Sequence, residues 1–250
     1  MTKYFLTLML FTLLSNGFSQ PVSSGKIIFK ETIQFKIDLG DDNPELTKMI
    51  PTSQSIDKAL YFTPEVSLFK NNEQPDDLEI NQEAEGNQVQ LVIKMPESVI
   101  YTNRTEDLFL KSQDIMGKDF LIKDKIVQYS WKLTGEQKKI LDFVCQKAIL
   151  LDTSKQVIAW FTPQIPVSFG PAGMNGLPGM ILALEQENGE RMTIATSIEP
   201  IQENFIFEKP TKGKKVTLAE FERIREEKLK EMGAVNGGGH GIKMIIREER

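Results

Sequence analysis

The sequence predicts a mainly β fold of the α+β class, in which an antiparallel sheet or an open or half β-barrel carries one late amphipathic helix packed on it. Three observations lead to this prediction. Short apolar–polar alternations recur along the chain, turn residues separate them, and one segment alone has helical periodicity. Many short strands divided by turns are typical of an antiparallel sheet or an open barrel.

The first alternating segment predicts a strand with one wet face. Its apolar residues share one parity and its polar residues the other, and Glu31 is the single break in this order. The apolar positions are Ile27, Phe29, Ile33, Phe35, Ile37 and Leu39.

The same alternation predicts further strands along the chain. They fall at residues 60–62, 66–69, 89–95, 141–149, 157–161, 180–184 and 192–198. In the last of these, Met192, Ile194 and Ile198 are the alternating apolar set, so we expect them to face the core.

Residues 71–87 hold six carboxylates and no basic residue, which predicts a solvated acidic loop. Calcium binding is the alternative, although the EF-hand spacing is absent.

Residues 217–232 predict the helix. Thr217 and Glu220 have the spacing of a capping box, and Gly233 stands where a helix ends. The apolar stripe comprises Leu218, Phe221, Ile224, Leu229 and Met232. A glycine-rich break at 233–241 separates the helix from a predicted C-terminal strand at 242–246.

The N-terminus has the features of a secretory signal peptide. Lys3 precedes a short apolar run, and Gly17 and Ser19 suit cleavage before Gln20. The predicted organisation is a signal peptide over residues 1–19 and a single β-rich domain over residues 20–250. The mature chain lacks a second apolar run long enough to span a membrane. We therefore expect an exported protein of the periplasm or one associated with the outer membrane.

Composition excludes several classes of function. The net charge of −5 lacks the basic excess that a nucleic-acid groove requires. One cysteine and one histidine in 250 residues exclude an intrachain disulfide, a CxxC redox centre and a Cys/His zinc site. For Cys145 the pattern predicts a buried small apolar side chain, and a nucleophile is the alternative. For His240 it predicts part of a flexible linker, and a loosely held metal ligand is the alternative. We predict no enzyme, catalytic residue, metal or cofactor.

Residues 163–179 predict an ordered loop with a functional surface. Four prolines and four glycines occur in these 17 residues, yet the stretch is apolar rather than polar. Prolines and glycines fix the conformation of such a loop before any partner binds, and loops of this kind often carry function. The alternative is a rigid crossover between two strands. The binding candidates are Trp160, Phe161, Pro163, Ile165, Pro166, Phe169, Gly170, Pro171, Gly176, Leu177, Pro178 and Gly179.

The hexapeptide Gly176-Leu177-Pro178-Gly179-Met180-Ile181 resembles the signature of the GLPGLI family of exported bacterial proteins, with Met180 in place of the usual leucine. Residues 131–133, 139–141, 145–148, 159–162, 165–166 and 214–232 also resemble family positions in the usual order. The resemblance implies export in gram-negative bacteria and genes often found beside those of TonB-dependent outer-membrane receptors. It implies no catalytic residues.

Three functional hypotheses follow. The first is a non-enzymatic binding or assembly partner of a TonB-dependent outer-membrane receptor, itself a β-barrel protein. The second is a periplasmic carrier that holds a lipid or another apolar ligand in an open β-barrel. The third is an enzyme that uses Cys145 or acidic residues. We expect no nucleic-acid partner.

Overall fold

The computed structural model describes residues 22–34, 52–73, 78–84, 87–94, 97–115, 117–151, 156–231 and 243–249. At 78–84, 87–94 and 243–249 it describes the backbone alone. Several predictions fall outside these ranges: the signal peptide at 1–19, the positions Phe35, Ile37 and Leu39, the helix end at Met232 and Gly233, and His240 in the glycine-rich break.

Within those ranges the fold consists mainly of β-strands, as the alternation predicts. The strands are β1 (Gly25–Gln34), β2 (Ser53–Phe62), β3 (Val66–Asn71), β4 (Leu78–Ala84), β5 (Asn87–Lys94), β6 (Ser98–Asn103), β7 (Leu108–Ile115), β8 (Lys118–Asp124), β9 (Trp131–Ile140), β10 (Phe143–Leu150), β11 (Ile158–Thr162), β12 (Met180–Gln186), β13 (Arg191–Glu199), β14 (Lys214–Val216) and β15 (Lys243–Glu249). One α-helix, α1 (Leu218–Glu231), follows β14 in the described chain.

Twelve strands form one large sheet. Its order is β14-β8-β7-β6-β3-β2-β1-β13-β12-β11-β10-β9, and every pair is antiparallel except the parallel pair of β14 and β8. Among the described strands the two ends of this order do not meet, so the sheet is open. The predicted class, an antiparallel open sheet with one late helix, is confirmed. A second sheet has the order β15-β5-β4, and β15 confirms the expected C-terminal strand.

The main apolar core lies on one face of the large sheet, which we call the inner face. Alternate residues of β1 and β2 point into this core, including Ile27, Phe29, Leu60 and Phe62. Residues of the 163–179 loop complete the same cluster, so the loop covers part of the inner face. The predicted inward parity of β1 is confirmed as far as Ile33, and Glu31 is buried with it.

The opposite face, which we call the outer face, is covered over only one half of the sheet. Leu68, Tyr101 and Leu110 form a small cluster there on β3, β6 and β7. Phe205 and Phe207 of the segment 200–213 pack against it, and the Phe205 ring stacks on Tyr61 with a centroid distance of 4.0 Å. This segment then leads into β14 at the sheet edge.

Helix α1 begins with the predicted capping box. The Glu220 amide donates to Thr217 Oγ1 at 3.2 Å, and the Thr217 amide donates to Glu220 Oε2 at 2.8 Å. Phe221 is buried against Phe120 of β8, with Leu218 and Ile224 beside it. The described part of the predicted apolar stripe, Leu218, Phe221 and Ile224, therefore packs on the sheet.

Two predictions about the strands are wrong. In β13 the inward residues are Thr193 and Ala195, whereas Met192 and Ile194 are 36% and 37% exposed on the outer face. Ile198 nevertheless packs on the core, because a bulge at Ile28 and Phe29 shifts the register between β1 and β13. The acidic segment 71–87 also contains a strand, β4, which pairs with β5. No helix in the described ranges is both long and apolar enough to cross a membrane.

Candidate functional site

The 163–179 loop is fastened to the start of β12 by backbone hydrogen bonds. The Met180 amide donates to the Ile165 carbonyl at 3.0 Å, and the Ile181 amide donates to the Phe169 carbonyl at 2.9 Å. Ile165 and Phe169 are buried in the main core, whereas Leu177 is buried in a second cluster with Phe161 and Ile181. Apolar side chains thus anchor this loop at several points along its length.

Two hydrogen bonds fix the second half of the loop, one from the first residue of β9 and one within the loop itself. The Trp131 indole N–H donates to the Asn175 carbonyl at 2.8 Å, and the Gly176 amide donates to Ser168 Oγ at 3.0 Å. Gly176 has φ +89°, and a Cβ there would lie 2.9 Å from the Tyr129 carbonyl oxygen. Glycine is required at this turn because a side chain would meet both an unfavourable φ and the neighbouring backbone.

The predicted binding residues divide into a buried and an exposed group. The buried ones, which build the core, are Phe161, Ile165, Phe169, Gly170, Pro171, Leu177 and Gly179. The exposed ones are Pro163, Pro166, Gly176 and Pro178, and Trp160 is half-buried. Only the second group presents surface to a partner, so we narrow the candidate contact region to Trp160 and its neighbours.

Trp160 is half-buried against the main core cluster and lies in an apolar patch together with the exposed Met192 and Ile194. Ile194, Ala183, Trp160 and Lys147 are directly opposite one another on four successive strands, so their side chains share one face. In the next row Met192 and Ile158 lie on the same face through their pairing with Glu185. We call this surface the outer patch; it comprises Ile149, Ile158, Trp160, Met192 and Ile194.

Lysines border the patch. Lys138 Nζ lies 4.2 Å from the centre of a Trp160 ring, and Lys147 Nζ lies 6.0 Å from it, which are cation–π distances. Lys147 also forms an ion pair with Glu136 at 2.9 Å. Burial lowers the pKa of Lys138, and the carboxylate of Glu185 partly opposes this effect.

Cys145 is fully buried in the main core, as the apolar alternation predicts. Its thiol donates to the Phe143 carbonyl at 3.8 Å, and burial raises its pKa to about 11, against a lowering effect of Lys138. The thiolate is the reactive form of cysteine. The group is therefore protonated at neutral pH and is a poor nucleophile in the folded protein.

We expect Cys145 to resist alkylation in the native protein. At pH 7.5, treatment with iodoacetamide followed by intact-mass spectrometry should leave the native thiol unmodified, while the same treatment in 8 M urea, roughly the upper end of usual denaturant concentrations, should modify it completely. Fast alkylation without denaturant would contradict the burial and the raised pKa.

A second candidate region, absent from the sequence predictions, is a group of charged and amide side chains at inward positions of the sheet. Glu31 of β1 is 5% exposed and accepts a 3.4 Å hydrogen bond from Thr193 Oγ1. Lys58 of β2 is 2% exposed, and its ammonium donates to Asn71 Oδ1. Burial lowers the pKa of Lys58, and the carboxylate of Glu31 partly opposes this effect.

Lys111 of β7 belongs to the same group. Burial lowers its pKa to about 8; Arg191 and Arg225 lower it further, and Glu222 and Glu31 raise it. These charges come from β13, β1 and α1, although three strands, β6, β3 and β2, separate β7 from β1 in the sheet order. The curved inner face therefore brings distant strands within electrostatic range.

We call this set the polar cluster. Its charged members, defined by their mutual effects on the two lysines, are Glu31, Lys58, Glu97, Lys111, Arg191, Glu222 and Arg225. Buried polar atoms without a hydrogen-bond partner among the described residues lie on β2, β7, β12, β13 and α1: Gln54 Oε1, Gln113 Oε1, Gln186 Oε1, Arg191 Nε and Arg225 Nε. Buried polar atoms are usually hydrogen-bonded, so this concentration is unusual.

A cleft of about 230 Å³ opens beside the cluster at the adjoining ends of β3 and β6. Asn71 lines the cleft and also accepts the hydrogen bond from Lys58, so the cleft reaches the cluster. The full lining is Lys70, Asn71, Asn72, Glu73, Glu97, Ser98 and Val99.

The polar cluster has a detectable sequence signal. Glu31 breaks the apolar parity of β1, and Lys58 stands between Ile56 and Leu60 at the inward positions of β2. A charged residue at an inward position costs free energy unless it is paired, so each break marks a buried polar site. Which of these positions meet in space depends on the order of the strands in the sheet. The residue pattern of a single strand does not reveal that order.

Part of the chain matches the model of a protein family. Residues 149–183 match the model of a family described as "Protein of unknown function (Porph_ging)". This segment holds Trp160, the 163–179 loop and the Gly176–Ile181 signature. The match is to an uncharacterised family over this segment alone, and the GLPGLI name itself stays a prediction. No curated protein matches the chain.

Among solved structures the chain is similar to PNGF-II in two crystal forms. For the first the identity is 17% and the TM-score 0.53, with 81% of this chain and 33% of that chain covered. For the second the values are 16%, 0.49, 79% and 32%. The chain thus spans about a third of the length of PNGF-II. This likeness concerns the fold alone.

Proposed function

We propose that this chain is an exported, non-enzymatic binding partner of a TonB-dependent outer-membrane receptor, and that the receptor docks on the outer patch. The observation that carries the proposal is the exposure of Met192 and Ile194 beside Trp160 on an uncovered sheet face. The choice of receptor rests on the resemblance of the signature loop to the GLPGLI family.

The composition of the patch suits a protein partner. Protein interfaces combine apolar and aromatic residues at the centre with a polar rim, and tryptophan is prominent among their energetically dominant residues. Here Trp160 lies near the centre, and Lys138 and Lys147 lie at the rim. The lysines favour a partner that presents carboxylates around an apolar contact.

A difference between the two halves of the outer face also supports the proposal. On β3, β6 and β7, outward apolar residues are covered by Phe205 and Phe207 of the chain itself. On β13 the outward residues Met192 and Ile194 stay exposed, whereas Trp160 and Ala183 beside them pack with the main core cluster. Apolar sheet surface that a chain leaves exposed is a usual feature of interaction sites.

The carrier hypothesis receives no comparable support. An apolar ligand needs an apolar cavity. In the described structure, Ile165, Val167 and Phe169 of the chain's own loop pack against the apolar part of the inner face. The lipid or apolar ligand therefore stays a prediction, which denaturing extraction of natively purified protein would test.

The docking proposal predicts that acidic substitutions in the outer patch abolish partner capture. We expect Met192→Asp/Ile194→Asp to reduce receptor recovery at least about tenfold, because charge is placed in a desolvated contact. The measurement is crosslinking in living cells, purification from the envelope fraction and quantitative mass spectrometry. Crosslinks of the unaltered chain should map to residues 147–194.

The matched control is Ile206→Asp. Ile206 is 72% exposed and lies outside the patch, so this variant also replaces an apolar side chain by aspartate, but elsewhere on the surface. It should capture the receptor like the unaltered chain, and all variants should have similar unfolding midpoints. Equal capture by patch and control variants, or the absence of any outer-membrane receptor among the crosslinked proteins, would refute the proposal.

A further inference from the structure

One end of the large sheet is an open strand edge, which we call the β9 edge. The ten-residue strand β9 comes last in the sheet order, so no other described strand pairs with its outer side. At the opposite end of the order, β14 pairs with β8 over only three residues. This sheet therefore already extends one edge by a short strand, and the β9 edge offers the same kind of surface to a partner.

A bulge divides the β9 edge into two halves. Gln137 lies opposite Gln146 of β10, whereas Leu133 lies opposite Ala148, so the register shifts over residues 134–136. A bulge limits unspecific pairing along an edge. The candidate for strand addition is therefore the half at residues 137–140, where the pairing with β10 is regular.

The backbone groups of two residues in this half point to the open side. Val144 lies opposite Lys139, yet the Val144 amide donates to Gln164 Oε1 at 3.2 Å. Lys139 and Val144 are thus a pair without mutual hydrogen bonds, in which the amide and carbonyl groups of both residues point away from each other. The pattern repeats two positions along, at Gln137. Lys139 and Gln137 therefore present donors and acceptors to an incoming strand.

Two lysines beside the β9 edge define the charge of the partner. Lys138 lies opposite Cys145, and Lys132 lies opposite Ile149, so both side chains are on one face, four positions apart along β10. Lys138 Nζ lies 4.2 Å from the centre of a Trp160 ring, so this face is that of the outer patch. Both lysines are exposed, and neither is ion-paired with another described residue.

We propose that the β9 edge binds an extended acidic segment, which adds an antiparallel strand at residues 137–140 and directs its carboxylates toward Lys138 and Lys132. Hydrogen bonds to Gln137 and Lys139 supply affinity, and the two lysines select carboxylates over cationic side chains. Four positions of a strand span about 13 Å, so carboxylates four residues apart reach both lysines. The inference deepens the proposed function and rests on it for the partner's identity, because the segment would belong to the receptor docked on the adjoining outer patch.

The test is a titration of the purified protein with three fluorescently labelled peptides, measured by fluorescence anisotropy. The acidic peptide is Thr-Asp-Val-Thr-Val-Asp-Thr, and the basic peptide has lysine in place of both aspartates. The blocked peptide is the acidic one N-methylated at both valines, whose amides would face the β9 edge. We expect saturable binding of the acidic peptide and at least tenfold weaker binding of the other two. No saturable binding of the acidic peptide up to about 2 mM, or equal binding of all three, would overturn the proposal.

Lys139→Pro tests the backbone donor of β9. Proline removes the N–H of residue 139, and an edge strand tolerates proline where that group faces the open side. The matched control is Lys139→Ala, which removes the same side chain and keeps the N–H. We expect Lys139→Pro to weaken binding of the acidic peptide at least tenfold and Lys139→Ala to weaken it less than about twofold. Equal binding by the two variants would contradict strand addition.

Charge reversal is a second test that leaves the backbone unchanged. Lys132→Glu/Lys138→Glu should bind the basic peptide more tightly than the acidic one, the reverse of the unaltered protein. The control Lys123→Glu/Lys125→Glu reverses two exposed lysines elsewhere and should keep the original preference. An unchanged preference in the first variant, or a reversed one in the control, would overturn the inference. These titrations contain no receptor, so their failure is distinguishable from a failure of receptor capture.

Discussion

Replacement of Gly179 by alanine is expected to destabilise the native protein by more than about 3 kcal/mol, combining backbone strain and an unavoidable contact. Gly179 has φ +150°, a region that residues with a side chain rarely adopt. An added Cβ would lie 2.1 Å from the Thr162 carbonyl oxygen and 2.6 Å from its carbonyl carbon. Both atoms are backbone, so no side-chain rotation can relieve the overlap.

The consequence of this contact extends beyond one turn. Thr162 ends β11, and Met180 begins β12, so the close approach of Gly179 joins the two strands at the base of the loop. The Gly179 amide also donates to the Leu177 carbonyl at 2.8 Å, which helps to direct Leu177 into its buried position. A shift at Gly179 would therefore disturb both the strand pairing and the second apolar cluster.

The measurement is urea-induced unfolding monitored by the fluorescence of Trp131 and Trp160. Gly135→Ala is the matched control, because Gly135 also has a positive φ of +83° but a Cβ there would meet nothing within 4 Å. We expect this control to lose only about 1 kcal/mol from the backbone conformation. A loss at Gly179 no greater than that at Gly135 would show that the Thr162 contact is unimportant.

Lys58→Ala is expected to destabilise the protein by about 3 kcal/mol, because it removes a buried cation and the packing of its aliphatic stem. Asn71 would lose the donor to its Oδ1 atom. The buried carboxylate of Glu31 would lose the attraction of the Lys58 ammonium. An uncompensated buried charge accounts for much of the cost of breaking such a pair.

A double variant distinguishes the charge effect from the packing effect. Lys58→Met/Glu31→Gln keeps most of the side-chain volume and removes both charges, so it should be markedly more stable than Lys58→Ala. Lys30→Ala changes an exposed lysine of β1 and should cost less than about 0.5 kcal/mol. If Lys58→Ala proved as mild as Lys30→Ala in urea unfolding, the Lys58–Glu31 interaction would have no role in stability.

Much of the local structure could be predicted from the sequence. The inward parity of Ile27, Phe29 and Ile33 follows from the period of a strand, and the capping box of Thr217 and Glu220 follows from the donors left free at a helix start. The proline and glycine content of residues 163–179 indicates an ordered loop because these residues restrict or extend the accessible φ range. All of these depend on neighbours a few residues apart.

The accessible part of the predicted binding region was less evident from the sequence. Phe161, Phe169 and Leu177 are aromatic or apolar loop residues, yet the structure uses them as core. Trp160 differs from Phe161 only by one position, and strand alternation directs it to the outer face instead. Apolar character alone does not separate a core residue from a contact residue, because both bury apolar surface.

What the sequence by itself determined is therefore the set of elements: the strands, the capped helix and the rigid loop. Tertiary structure alone decided which apolar side of β13 faces outward, and which charged residues meet on the inner face. β1 pairs with β2 and also with β13, which lies more than 150 residues further along the chain. The period of a strand is a local property of the backbone, whereas sheet order and curvature result from contacts between distant segments.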